Sequence, residues 1–144
     1  MAVILLDQIT KSIALHTLAS GSVHLLGPFS FTLAYNSGSS FSLLQGSTGP
    51  LMVVEVLFIG LLGYLGARSS HRWTQLALGL MLGGAIGNFL DRVFRAHHGS
   101  VVDFIASTFW PTFNVADACI SAGAGIMVVV LVVDLIRGGT QSDA

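Results

Sequence analysis

Two aspartates in the second half of the chain, Asp103 and Asp117, could act together as a general acid and a general base. Two carboxyl groups held close together cannot both ionise readily, so one of them keeps its proton. The ionised carboxylate can take a proton from water, while the protonated one polarises a carbonyl and later protonates a leaving amine. Such a pair hydrolyses peptide bonds, and its two groups titrate jointly.

Other polar side chains lie in or beside apolar stretches, where each one is costly unless it has a partner or a function. We expect them to meet near the same ends of the helices as the aspartate pair. Lys11 or Arg92 would stabilise the ionised aspartate. A position near a helix N-terminus favours the charged form of Asp117, which makes Asp103 the protonated partner. The other residues of the cluster are Asp7, Asn88, Asp91 and Asn114.

Simpler explanations exist for two of these groups. Asn114, followed three residues later by Asp117, fits a helix N-cap with an acidic third residue, and this accounts for the two residues as well as catalysis does. Asp7 and Lys11 are four residues apart, so an ion pair within one helix also accounts for both.

The remaining charged residues of the apolar stretches also have structural explanations. Taken alone, Asp91 and Arg92 are better explained as an interfacial ion pair that ends a helix. Asp134 and Arg137 fit the same description at the other side of the membrane. Glu55 has no explanation in the sequence beyond extending its carboxylate to the bilayer surface.

The composition places the chain in a membrane. Of its 144 residues, 53% are hydrophobic and only 9% are charged, with a mean hydropathy of +0.80. Soluble domains have roughly 25% charged residues, so lipid must solvate much of this surface. The length fits one domain, residues 1–144. A net charge of −1 without a basic run argues against nucleic acid, and the single cysteine and five histidines show no metal-ligand spacing.

Four apolar stretches predict four transmembrane helices, at about residues 1–18, 50–67, 73–90 and 115–136. The first is short at its N-terminal end, and it lacks the pattern of a cleaved signal peptide. Gly79, Gly83 and Gly87 recur every fourth residue in the third and predict close packing against a neighbouring helix.

The arginines indicate an orientation. Arg68 and Arg72 lie in the short middle connection and Arg137 follows the last span, so the positive-inside rule puts these and both termini in the cytoplasm. Arg92 and Arg95 argue against it. With this orientation, segments 19–49 and 91–112 face outward, and Asp103 lies in the second of them.

One outward segment has strand periodicity. From residue 29 to residue 36, apolar residues alternate with small or polar ones, and Asn36-Ser37-Gly38 then predicts a turn. We therefore expect a small sheet on the outer membrane surface, between the first and second helices.

The same residues form five strings in a fixed order, and together these resemble the motif set of bacterial lipoprotein signal peptidase (signal peptidase II). The strings cover nearly the whole chain. They are Asp7-Gln8-Ile9-Thr10-Lys11, Tyr35-Asn36-Ser37-Gly38-Ser39-Ser40-Phe41-Ser42, Gly83-Gly84-Ala85-Ile86-Gly87-Asn88-Phe89-Leu90-Asp91-Arg92, Val101-Val102-Asp103-Phe104 and Phe113-Asn114-Val115-Ala116-Asp117.

The resemblance implies a multi-pass aspartic peptidase of the bacterial cytoplasmic (inner) membrane. It would have four transmembrane helices, a small periplasmic sheet, an outer amphipathic helical segment and an active site near the periplasmic face. Asp103 and Asp117 would be catalytic. The residues that line and support the site would be Asp7, Lys11, Asn36, Asn88, Arg92 and Asn114.

The resemblance also implies the substrate, a prolipoprotein whose cysteine carries diacylglycerol, cut just before that cysteine. Membrane lipid would surround the enzyme, a monomer is the default expectation, and neither a metal nor an organic cofactor is expected.

Two other functions fit parts of the pattern. Lys11, the only lysine, could form a Ser-Lys dyad with a serine such as Ser42, although no recognisable spacing supports this. A proton-conducting bundle would need acids spaced through the bilayer, whereas here they gather at one face and Asp134 is the only aspartate at the other.

Overall fold

A computed structural model of the chain describes residues 1–38, 48–95 and 99–139. Within these ranges it contains four α-helices and one three-stranded sheet. In chain order the elements are α1 Ala2–Thr17, β1 Val23–His24, β2 Phe29–Asn36, α2 Thr48–Arg68, α3 Arg72–Phe94, β3 Val101–Ser107 and α4 Val115–Gly139.

Three of the helices, α2, α3 and α4, are long and apolar enough to cross a membrane. Large apolar side chains stand exposed along α2 and α4, among them Leu57 and Leu135, as expected for helices that face lipid. The chain is therefore a multi-pass membrane protein. α1 has 16 residues, fewer than the roughly 20 that span the hydrocarbon core, so a fourth span stays a prediction.

Helix α3 lies at the centre of the helices and contacts the other three. Two glycines of the predicted stripe pack against α1. A methyl group on Gly83 would lie 2.8 Å from Val3 Cβ, and one on Gly87 would lie 2.6 Å from Asp7 Oδ2. The prediction is wrong for Gly79, where an added methyl group meets nothing within 4 Å.

The contact between α3 and α4 also depends on glycine, at positions outside the predicted stripe. A methyl group on Gly84 would lie 2.5 Å from the Ala116 carbonyl oxygen, and one on Gly123 of α4 would lie 2.6 Å from the Ala77 carbonyl oxygen. The backbones of α3 and α4 thus approach closely at two points along the helix pair, and the first of these fixes the start of α4 against α3.

The sheet has the strand order β1-β2-β3 and both pairings are antiparallel. The prediction of a sheet between the first and second helices is therefore only partly correct, because β3 comes from the connection between α3 and α4. The register between β2 and β3 pairs Phe31 with Ile105 and, after an irregularity, Ala34 with Asp103. Asp103, which the sequence places only in an outward segment, is a strand residue because β2 provides a pairing partner far away in sequence.

The opposite face of β3 attaches the sheet to α1. Phe104 packs with Ala14 and Leu18 in a buried apolar cluster. Beyond β3 the chain folds back, and Phe113 exchanges two backbone hydrogen bonds with Ile105, each of 2.9 Å. This return brings the start of α4 beside the middle of β3.

Some predictions differ from the structure or lie outside it. α3 continues to Phe94, about one turn past its predicted end at residue 90. No fifth helix occurs within residues 1–38, 48–95 and 99–139, so the implied outer amphipathic helix is not seen there. Ser42 and the second half of the Tyr35–Ser42 motif lie outside the described residues.

Candidate active site

Asp103 lies in the middle of β3, and only 2% of its surface is exposed. Asn36 is at the end of β2, paired with Val101, which puts its side chain diagonally across from Asp103. Its Nδ2 donates to Asp103 Oδ2 over 3.1 Å. The backbone N–H of Gly38 donates to Asn36 Oδ1 over 2.9 Å, so this turn directs the NH₂ group of Asn36 towards Asp103.

Asp117 is the third residue of α4, and Asn114 is the residue just before the helix. The two cap the helix reciprocally. Asp117 N–H donates to Asn114 Oδ1 over 3.0 Å, and Asn114 N–H donates to Asp117 Oδ2 over 3.1 Å. The capping explanation of this pair is therefore confirmed. The cap uses only the Oδ2 oxygen of Asp117, so Oδ1 can accept a hydrogen bond from another residue.

Asn114 also connects the two aspartates. Its side chain is fully buried, and Nδ2 donates to Asp103 Oδ1 over 2.7 Å and to Asn88 Oδ1 over 3.1 Å. Asn88 in turn donates from Nδ2 to Asp117 Oδ1 over 2.8 Å. Two amides thus hold both carboxylates in one hydrogen-bond network, although the residues come from α3, β3 and α4.

The environment of Asp103 raises its pKa from 3.8 to about 6. Burial is the largest cause, and the charge of Asp117 adds to it. The hydrogen bonds from Asn36 and Asn114 act in the opposite direction, as does the charge of Lys11. The surroundings of Asp103 therefore favour its protonated form.

Lys11 is completely buried beneath this network. Its Nζ lies 2.9 Å from Asp7 Oδ2, 3.0 Å from Asp91 Oδ2 and 2.9 Å from Asn88 Oδ1. An ammonium group has three N–H donors, and here each has an acceptor. The predicted Asp7–Lys11 ion pair is present, and through Asn88 the same lysine supports the amide that holds Asp117.

Asp91 differs from its prediction. The interpretation of Asp91 and Arg92 as an interfacial pair is wrong, because Asp91 is fully buried and its partners are Lys11 and Arg95. Asp91 Oδ2 also accepts the backbone N–H of Val102 over 3.0 Å. The end of α3 thereby holds the strand residue next to Asp103.

Sequence reasoning missed Gln8 and Arg95 as parts of this site. Gln8 Nε2 donates to Asp91 Oδ1 over 3.0 Å, and Arg95 Nη2 donates to Gln8 Oε1 over 3.1 Å. The spacing of Asp91 and Arg95, four residues apart on one helix, could have indicated their ion pair. Asp91 and Arg95 join Asp7 and Lys11 in a group of two anions and two cations, so the buried charges balance.

Arg92 was predicted to support the site, and it lies at the edge of it. Its Nη1 donates to Glu55 Oε1 over 2.5 Å. This contact supplies the partner that the sequence did not reveal for Glu55. Arg92 thus pairs with α2, whereas Lys11 lies directly beneath the two amides that hold the aspartates.

Taken together, the site offers two carboxylates in unlike surroundings within one amide network. One is buried in a strand and tends to keep its proton, and the other is at a helix N-terminus, which stabilises a negative charge. This is the arrangement that general acid–base hydrolysis needs. In the described part of the chain, no group of three or more His, Cys, Asp or Glu side chains could hold a metal ion.

Comparison with known proteins identifies a family. The profile of signal peptidase (SPase) II matches residues 1–133. The chain is 41% identical over 132 residues to the lipoprotein signal peptidase of Mycobacterium leprae, covering 88% of this chain and 66% of the relative. It is 41% identical over 141 residues to that of Rhodococcus jostii, covering 94% of this chain and 71% of the relative.

The chain is shorter than its relatives. It spans 66% of the length of the Mycobacterium leprae protein and 56% of the 42% identical lipoprotein signal peptidase of Mycolicibacterium smegmatis. Among solved structures, it is similar to a bacterial membrane enzyme with a TM-score of 0.81 and 28% identity. That match covers 92% of this chain and 84% of the other.

Proposed function

The chain belongs to the signal peptidase II family, and from this premise we propose that it is an aspartic endopeptidase that cleaves signal peptides from prolipoproteins. The substrate is a prolipoprotein whose cysteine carries diacylglycerol, and the cut falls just before that cysteine. Asp103 and Asp117 are the catalytic pair, within a single domain that comprises residues 1–144.

In the proposed mechanism the ionised Asp117 takes a proton from the attacking water. Asp103, in its protonated form, donates a hydrogen bond to the scissile carbonyl and then protonates the leaving amine. The buried position of Asp103 and its raised pKa support this assignment. The cap of α4 and the bond from Asn88 support an ionised Asp117.

The other residues hold the pair in place rather than reacting. Asn36 and Asn114 donate to Asp103, and Asn88 donates to Asp117. Lys11 donates to Asn88 from below, and Asp7 balances the charge of Lys11. Arg92 pairs with Glu55 of α2, at the edge of the site. Close positioning of this kind contributes much of an enzyme's rate, because small displacements of a catalytic group are costly.

We propose that α1 is the fourth membrane span and that the site lies near the periplasmic face of the inner membrane, with both termini in the cytoplasm. Buried polar residues line one side of α1, and exposed apolar residues such as Leu5 and Ile9 line the other, which suits a helix between protein and lipid. Arg92 and Arg95 are engaged in ion pairs within the bundle, so they count less against this orientation.

A site at the bilayer edge suits a lipidated substrate. The signal peptide is itself an apolar helix, and its cleavage point reaches the outer surface without leaving the membrane. Each methylene of the acyl chains that is buried contributes roughly 0.8 kcal/mol, so lipid supplies affinity and the polar residues orient the peptide bond. A monomer contains the complete pair.

The single observation that carries the proposal is the amide network joining Asp103 and Asp117. Its test is cleavage of a purified, diacylglyceryl-modified prolipoprotein by the protein in detergent, with the new N-terminus read by mass spectrometry. Asp103→Asn and Asp117→Asn should each abolish cleavage, and the unlipidated precursor should remain uncut. Asp134→Asn, the same change at an exposed site on α4, should cleave normally. Near-wild-type cleavage by either active-site variant refutes the pair.

The two alternative functions receive little support. A Ser-Lys dyad needs a lysine with a free lone pair, but all three N–H donors of Lys11 are bound by Asp7, Asp91 and Asn88. A proton relay needs acids spread through the membrane. Asp134 lies 17 residues beyond Asp117 on α4, about 25 Å along the helix axis. Proton flux into liposomes without substrate cleavage would favour the relay.

A further inference from the structure

Glu55 of α2 pairs with Arg92 of α3, and the proposed reaction does not use the pair directly. Glu55 is the only charged residue of α2 before Arg68 at its end. A charged side chain within a membrane helix is costly to insert, so it needs a structural or functional reason. Attachment of α2 to α3 does not require that cost, because Leu62 and Leu78 already pack the two helices together.

The position of the pair suggests what it does. Arg92 Nη1 and Glu55 Oε1 are 2.5 Å apart, and the two side chains are only 8% and 18% exposed. Arg92 Nη2 is 3.9 Å from the point where a Cβ on Gly38 would lie, and that Cβ would also collide with Leu51 of α2. Leu51 is one turn before Glu55 on α2. Gly38, in the turn after β2, thus lies close to both Leu51 of α2 and the guanidinium that Glu55 holds.

That turn determines how Asn36 is oriented. Gly38 has φ +75°, and its N–H donates to Asn36 Oδ1 over 2.9 Å. Since the oxygen of the amide is engaged there, Nδ2 faces Asp103 and donates to Oδ2 over 3.1 Å. A shift of the turn would therefore change the hydrogen bond to the buried aspartate.

We propose that Glu55 is a positioning residue for the cleavage reaction, acting through Arg92 and the Gly38 turn on the Asn36 amide that binds Asp103. This inference rests on the proposed function. Without the negative charge of Glu55, the buried guanidinium of Arg92 is left uncompensated even where a neutral amide oxygen can still accept from it. It is then held less firmly, and the turn beside it loosens. Leu51 and Glu55 together make this end of α2 a wall of the site.

The test compares Glu55→Gln, which keeps the size of the side chain, with Leu62→Ala, which weakens the contact between α2 and α3 away from the site. For Glu55→Gln we expect kcat on the lipidated substrate to fall about ten- to hundredfold, as for a misplaced catalytic group, with KM little changed. In the Arg92→Gln background the same change should cost no further activity. Hydrogen exchange at the Gly38 amide should become faster in Glu55→Gln.

Leu62→Ala should lower the melting temperature and leave both kcat and exchange at Gly38 unchanged. Wild-type kcat or wild-type Gly38 exchange in Glu55→Gln would overturn the inference. The same kcat loss in Leu62→Ala would also overturn it, since helix attachment would then explain the effect. If the wild type cleaves no lipidated substrate, the proposed function fails, and exchange at Gly38 still decides whether Glu55 restrains the turn.

Discussion

Asn114 donates its side-chain N–H to Asp103 Oδ1 over 2.7 Å. The same side chain accepts the backbone N–H of Asp117 through its oxygen over 3.0 Å. One buried amide therefore caps α4 and holds the strand aspartate, so the local rule that starts the helix also sets the position of Asp117 relative to Asp103. The capping and catalytic explanations of these residues are compatible.

Substitutions at Asn114 should separate its two roles. A serine at the N-cap also accepts an N–H from the first turn, so Asn114→Ser should be about 1 kcal/mol more stable than Asn114→Ala. Alanine has no donor and the serine hydroxyl is too short to replace the Nδ2 of Asn114, so both variants lose the hydrogen bond to Asp103 and should lose more than about tenfold in kcat. Thermal unfolding and single-turnover cleavage measure the two quantities. Wild-type kcat in Asn114→Ser would show that Asp103 does not depend on this amide.

The pH dependence of cleavage should reveal the loss of the proton from Asp103. The mechanism needs one proton on the pair, and kcat/KM reports the free enzyme. We therefore expect kcat/KM to fall as the pH rises through about 6, the pKa of Asp103. The bond from Asn36 lowers this pKa, so Asn36→Ala should move the basic limb to higher pH.

Thr32→Ala is the control for this shift, because it removes a hydrogen bond to Ser22 from the same strand. Its pH profile should match that of the wild type. A basic limb that moves to lower pH in Asn36→Ala would contradict the assignment of the proton to Asp103.

Asp103 should also make stability depend on pH. Its folded-state pKa of about 6 exceeds the ordinary value of 3.8, so the folded protein binds this proton more tightly than the unfolded chain. The resulting stabilisation is complete below pH 3.8 and is lost as the pH rises through about 6, a change of up to about 3 kcal/mol. Asp103→Asn should lack this dependence.

The measurement is the melting temperature in detergent at pH 5 and pH 7.5. The difference between Asp103→Asn and the wild type should grow in favour of the variant at the higher pH. Asp134→Asn, at an exposed acid, should run parallel to the wild type at both values. A constant difference between Asp103→Asn and the wild type would refute the raised pKa.

Local patterns in the sequence predicted much of this arrangement. Apolar runs predicted α2, α3 and α4, and spacings of three and four residues predicted the cap at Asn114 and the pair of Asp7 with Lys11. Each of these depends on residues within one or two turns of a helix. Helical geometry fixes such contacts without knowledge of the rest of the fold.

Contacts between distant segments could not be read in this way. Asp103 is a strand residue because β3 pairs with β2, whose residue Ala34 lies opposite it. The Lys11 partner of Asp91 and the Arg92 partner of Glu55 likewise come from other helices. A single sequence without pairing information leaves such contacts undetermined, since several partners of the right charge are available to each residue.

The glycines of α3 offer a matched test of how closely α1 must approach the site. A methyl group on Gly87 would lie 2.6 Å from Asp7 Oδ2 and 3.5 Å from Ala116 Cβ. Gly87→Ala should therefore push Asp7 away from Lys11 and destabilise the protein by about 1–3 kcal/mol, with loss of cleavage. The methyl group added in Gly79→Ala meets nothing within 4 Å. Alanine also stabilises a helix by up to about 1 kcal/mol relative to glycine. That variant should be as stable as the wild type or more so, and fully active. Equal melting temperatures for the two variants would mean that α1 can move away without cost, and that Lys11 does not need its close contact with Asp7.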